Sequence, residues 1–225
     1  MKNSKEYAGR LQKLYRGLKL KRGRTKIETV TYEDPLLAVI YGIVSEQMRD
    51  DVAQAAMVGI RDTFIDWNDL RVSRVEEVVE VFGEDTLATR STGAALTMVL
   101  RAVFDAYHAL TLQPLKKMGK RPAKQALEDL HGMSRFAANY CMLTSLQAHA
   151  VPLTATMVEY LRQQEVVDPQ ADEEDIEGFL SRQVAAKNGY EFYALLRRES
   201  ESARVTKKKK KKTRRKSSKV AKAKK

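Results

Sequence analysis

The residues best placed to do chemistry sit in one short stretch: Leu130-His131-Gly132-Met133-Ser134-Arg135-Phe136-Ala137-Ala138-Asn139. A helical segment runs into a glycine turn, and a second helical segment starts at once. Such a turn leaves backbone N–H groups unpaired at a helix N-terminus, where the helix dipole adds partial positive charge, so a phosphate oxygen can dock there. Gly132 permits a backbone conformation that a larger residue resists. Met133 and Ser134 complete the turn, and Arg135 adds a cation in the first turn of the second helix.

Groups that break bonds are harder to find. His108, His131 and His149 show neither nucleophile–base nor metal-ligand spacing and read as surface or packing residues. The one cysteine, Cys141, lies among apolar residues and reads as a small buried hydrophobe. It excludes an internal disulfide framework and any cluster that needs several thiolates. Lys116, Lys117, Lys120 and Lys124 precede the turn and are expected to reach phosphate more readily than a sugar carbon. Glu128 and Asp129 are expected to face solvent. Trp67 and the tyrosines read as core or rim, with Tyr140 undecided. No metal or cofactor is expected.

These residues must be positioned by helices. Asp34 and Pro35 form a cap and first-turn proline ahead of a buried helix. Ala53, Ala56, Met57, Ile60 and Phe64 recur at helical spacing over 50–65. Ser73 to Glu76 fits a capping box, followed by the stripe Val75, Val78, Val79 and Phe82, with Gly83 as its stop. Leu96, Val99, Leu100, Val103, Phe104, Tyr107 and Leu110 give the cleanest stripe. Pro122 opens the helix that enters the glycine turn. Later, Thr154 and Asp172 cap helices carrying Met157, Val158 and Leu161, then Ile176, Phe179, Leu180 and Val184. A last helix holds Phe192, Leu195 and Leu196. No segment alternates with period two, so the fold class is all-α, with about ten helices.

Charge is unevenly spread. Residues 1–26 carry ten Lys/Arg and one acid, 27–205 carry eighteen against twenty-eight, and 206–225 carry thirteen and none, giving +9, −10 and +13. Polyanion attraction therefore comes mainly from the two ends. The final stretch holds Lys207, Lys208, Lys209, Lys210, Lys211, Lys212, Arg214, Arg215 and Lys216, resembles linker-histone tails in composition, and is expected to be disordered and to bind polyanion. No run is apolar enough to span a membrane, and the basic start lacks the apolar core of a secretory signal.

In combination these features resemble the endonuclease III-type helix-hairpin-helix DNA glycosylases. Ser45-Glu46-Gln47-Met48-Arg49-Asp50 matches the S-x-Q-x-x-D pattern of that family's opening helix, the turn at Gly132 matches its hairpin, and Val151 to Met157 is similar to the V-D-T-H-I segment that begins its second lobe. The resemblance covers roughly 30–200. It implies a two-lobed fold: a basic segment 1–33 packing with the second lobe, a six-helix lobe 34–148 ending in the hairpin, a second lobe 149–205, and the basic tail 206–225. It implies that Gln47 enters DNA at a flipped nucleotide. It also exposes departures. The hairpin's second glycine is Ser134, which is expected to distort the turn. The position of the catalytic lysine is Phe136, and eighteen residues on, the position of the catalytic aspartate is Thr154. The cysteines of an iron–sulfur cluster are missing.

Glycosidic cleavage builds positive charge on the sugar, which a carboxylate stabilises, and lyase chemistry needs an amine that forms a Schiff base. Phenylalanine and threonine do neither. Glu159 lies on a different helical face from Thr154 and is no substitute. The sequence thus points to a DNA-binding protein of low or no catalytic power, holding duplex DNA through Gly132, Met133, Ser134, Arg135, Gln47 and the tail, largely regardless of sequence. Two alternatives remain open: an active glycosylase or abasic-site lyase with relocated groups, and an RNA- or ribosome-associated protein. The expected location is the bacterial cytoplasm or nucleoid, or the nucleus.

Overall fold

A computed structural model describes residues 4–23 and 27–203. Its regular structure is entirely helical: α1 Ser4–Arg22, α2 Pro35–Gln47, α3 Asp50–Thr63, α4 Trp67–Val72, α5 Val75–Phe82, α6 Leu87–Tyr107, α7 Lys120–Glu128, α8 Arg135–Thr144, α9 Ala155–Gln163, α10 Glu173–Gln183 and α11 over 189–203, with 3-10 turns at Gln113–Lys117 and Ala186–Asn188. The tail cations from Lys207 to Lys216 lie outside the described residues.

The centre of the first lobe is α2. Asp34 starts it by accepting a hydrogen bond from the Leu36 N–H at 2.9 Å, and Pro35 fills the first turn, where no amide partner is needed. Leu36 through Ser45 is buried except for Leu37, because α3, α6 and α8 pack around it. At Gly42 a Cβ would lie 2.9 Å from the Ala137 Cα, so this glycine sets how closely α2 and α8 approach. The stripe Leu96, Val99, Leu100 and Val103 of α6 is buried against the same core. Two starts differ from the sequence pattern. Arg74, not Ser73, is the N-cap of α5, with Glu77 accepting from its N–H at 3.1 Å, while the Ser73 hydroxyl bonds back to the Leu70 carbonyl and closes α4. And α7 begins at Lys120, so Pro122 sits inside the first turn rather than opening it.

The second lobe comprises α9, α10 and α11, with α1 laid against it. The Tyr15 ring meets Phe192 edge-on at 5.3 Å, and its hydroxyl donates to Glu191 at 2.7 Å. Glu191 also pairs with Lys19 and Arg22, and Arg10 donates to the Glu165 carbonyl at 3.0 Å. Thr154 and Asp172 start α9 and α10 by accepting from the N–H groups of Met157 and Asp175.

Candidate nucleic-acid interface

The hairpin is built by backbone geometry. At the end of α7 the Leu130 N–H reaches the Leu127 carbonyl, and the Met133 N–H reaches Leu130 at 3.0 Å. Gly132 then takes φ of +86°, and a Cβ there would meet the Met98 Cβ of α6 at 2.9 Å. Conformation and space both demand glycine. Ser134 does not distort the turn, contrary to expectation. It is the N-cap of α8 in an extended conformation, with φ −85° and ψ 153°, and its Oγ accepts from the Ala137 N–H at 3.0 Å. A serine supplies a cap there that glycine lacks. The N–H groups of Arg135 and Phe136, in the first turn of α8, have no intrahelical partner.

The surroundings of that helix end are acidic, which the sequence did not reveal. The Glu46 carboxylate, at the end of α2, accepts from the Ser134 hydroxyl. Burial raises its pKa, the Ser134 hydrogen bond opposes the rise, and neighbouring Glu173 adds to it. Arg135 is exposed but already engaged: its Nη2 lies 2.9 Å from Glu174 and its Nη1 3.6 Å from Glu177. A phosphate reaching Arg135 has to displace these carboxylates. Gln47 is exposed one residue beyond Glu46, and His131, Glu128 and Asp129 face solvent. Met133 is half-buried.

The two family-site positions point elsewhere. Phe136 is 2% exposed and belongs to an aromatic cluster with Tyr140 and Tyr193, which extends through Tyr140 to Tyr32 and Tyr41. Tyr140 is therefore a core residue. Arg197 of α11 completes the cluster: its guanidinium lies over the Phe136 ring at 5.7 Å, donates to the Tyr193 hydroxyl at 2.9 Å and pairs with Glu201 at 3.0 Å. Its Nη2 donates to the carbonyls of Ser45 and Met48, fixing the backbone on either side of Gln47. Burial opposes its charge, but Tyr193 and Glu201 outweigh this and hold its pKa above the ordinary value. Burial likewise pushes the phenols of Tyr41, Tyr140 and Tyr193 far above the usual range. Thr154 is spent on its cap, 7% exposed. Cys141 is buried with its thiol pushed up to about 12, which leaves it unreactive.

One polar cleft adjoins the hairpin. It has a volume of about 220 Å³ and is lined by Lys124, Arg135, Asn139, His149, Glu174 and Glu177, among others. Burial lifts the Glu177 carboxyl to about 7, against the Asn139 hydrogen bond and the charges of Arg135 and Lys124. Among the described residues, no three His, Cys, Asp or Glu side chains gather as a metal site, and no helix is long and apolar enough to cross a membrane.

The overall fold is the one seen in solved helix-hairpin-helix DNA glycosylases, endonuclease III-like in arrangement. The chain superposes on endonuclease III trapped as a covalent intermediate with DNA with a TM-score of 0.64, at 12% identity over 84% of each chain. It matches the 8-oxoguanine glycosylase/lyase of Clostridium acetobutylicum, in complex with duplex DNA, with a TM-score of 0.66 at 15% identity, over 90% of this chain and 71% of that one. The 3-methyladenine DNA glycosylase of H. pylori gives 0.62 at 8% identity, over 85% and 97%. At such identities the likeness establishes the fold. No protein-family model and no curated protein matches the chain.

Proposed function

We propose that this protein binds duplex DNA through the hairpin and its basic ends, without base-excision chemistry at the position its fold reserves for it. One observation carries the reading. The first turn of α8 has unpaired amides, while its second residue, Phe136, turns a phenyl ring into the core where the resemblance puts an amine. Binding of this kind is largely sequence-blind and steep in salt, and it fits a location in a nucleoid or nucleus. The test is titration of a labelled duplex from about 50 to 200 mM salt, where several phosphate contacts together cost orders of magnitude in affinity. Arg135→Glu should weaken binding about tenfold, or about 1.4 kcal/mol. Affinity that is flat in salt, or indifferent to Arg135→Glu, overturns the role of the hairpin. Preference for structured RNA over duplex DNA at fixed salt overturns the choice of partner.

A second reading has one observation in its favour. Glu177, poised near neutrality in a cleft with Lys124, has the character of a general acid beside an amine. Excision or strand cleavage by a chain ending at Arg204, abolished by Glu177→Gln, would establish it. Ending the chain there matters because tail lysines held on DNA can nick abasic sites unaided.

A further inference from the structure

One charged surface lies apart from the hairpin. Of the eighteen cations in 27–205, five lie within 111–127, a stretch with no acid, in a body whose net charge is otherwise strongly negative. Four of them, Lys116, Lys117, Lys120 and Arg121, are exposed. Lys116 and Lys120 are tied to the chain: they donate to the carbonyls of Glu33 and Leu146. Those two carbonyls locate the patch. Glu33 precedes the start of α2 and Leu146 follows the end of α8, whereas Glu46 and Ser134, beside the hairpin, mark the opposite ends of the same two helices. The ten-residue α8 and thirteen-residue α2 are about 15 and 20 Å long. The patch and the hairpin therefore stand at opposite poles of the first lobe. Of the two acids just ahead of α2 at this pole, Glu33 and Asp34, the second is committed to capping that helix. Among the described residues, Lys117 and Arg121 have no ion-pair or hydrogen-bond partner. Helix dipoles favour acids, not cations, in a first turn, so α7 gains nothing from Lys120 and Arg121.

We propose that this pole is a second DNA-backbone surface, centred on Lys117 and Arg121, and that the folded body can hold two duplexes at once. The inference rests on the hairpin taking the first duplex. A phosphate at the hairpin lies beyond the N-terminus of α8, while the patch lies beyond its C-terminus, about 15 Å away, so the two surfaces face opposite ways along that helix. The ligand is the phosphodiester backbone, because solvated lysine and arginine heads without a shaped pocket read charge rather than base identity.

The full chain is mixed with one duplex on beads and a second, labelled duplex in solution, at fixed salt. Lys117→Glu with Arg121→Glu should cut capture of the second duplex at least fivefold. Both side chains are exposed, and unchanged thermal melting checks the fold. The log–log salt slope for total binding should become shallower by about 1.8, at about 0.9 for each phosphate that the protein no longer neutralises. Arg135→Glu run in parallel separates the two readings. If Arg135→Glu weakens binding of a single duplex while the pole variant leaves capture unchanged, the second surface is refuted and the hairpin stands. If neither variant changes anything, the basic ends do the binding and both fail. Capture of a structured RNA but not of a second duplex by the same residues also overturns the assignment.

Discussion

Removing the charge of Glu46 should tighten DNA binding. Its carboxylate accepts from the Ser134 hydroxyl at the start of α8, where a docked phosphate would sit. Two unit charges about 6 Å apart repel by about 0.7 kcal/mol in water and about 3 kcal/mol at the effective dielectric of a protein surface. Glu46 is half-buried, which places the effect between those limits. Glu46→Gln keeps an oxygen for the Ser134 hydroxyl while deleting the charge, so the perturbation is electrostatic rather than structural. Affinity for a short duplex, read by fluorescence anisotropy at pH 8 and low salt, should rise between about fivefold and a hundredfold, at 1.4 kcal/mol per tenfold. Because burial raises the Glu46 pKa, protonation should close the gap between variant and parent as pH falls. If Glu46→Gln binds no better than the parent at pH 8, no phosphate docks at this helix end and the hairpin account is wrong.

Other outcomes follow from single residues. Glu177 is lifted to about 7, so between its ordinary range and 7 the folded protein holds a proton that the unfolded chain has lost. Stability should therefore fall as pH rises across that window, by up to about 3 kcal/mol, and denaturant melts of Glu177→Gln should lack that component. Gly132→Ala should cost about 1–3 kcal/mol in the same melts, from positive φ and the close approach to Met98, and should weaken DNA binding as well. Thr154→Ala should cost about 1 kcal/mol through removal of the α9 cap, whereas Thr154→Asp should keep the cap and melt close to the parent.

What was legible in the sequence was local. Asp34, Thr154 and Asp172 cap the helices they were expected to cap, because a cap depends only on the next three residues. The hairpin was legible for the same reason. The start of α5 slipped by one residue because adjacent Ser73-Arg74 and Glu76-Glu77 offer two registers of the same motif, and burial of the Ser73 hydroxyl against Leu70 decides between them. The acids around the hairpin were not legible. Glu46 and Glu177 belong to helices far from Ser134 in the chain, and only packing brings them there. A signal did exist for Glu46, a charged residue one step beyond ten mostly buried positions of α2. Another existed for Arg197, which is spaced four residues from both Tyr193 and Glu201, where a helix brings all three side chains together. The pairing of Arg135 with Glu174 and Glu177, which reach it from α10, was not legible either, because the three are brought together only by packing.

The most direct test is a single-turnover assay with protein in excess over a panel of damaged and abasic duplexes, run after binding to each has been verified. The expected result is saturable binding with no base release, and no strand cleavage beyond the slow nicking that the basic tail produces. Release of a base at a rate that Glu177→Gln abolishes would contradict the account and move the chemistry into the cleft beside the hairpin.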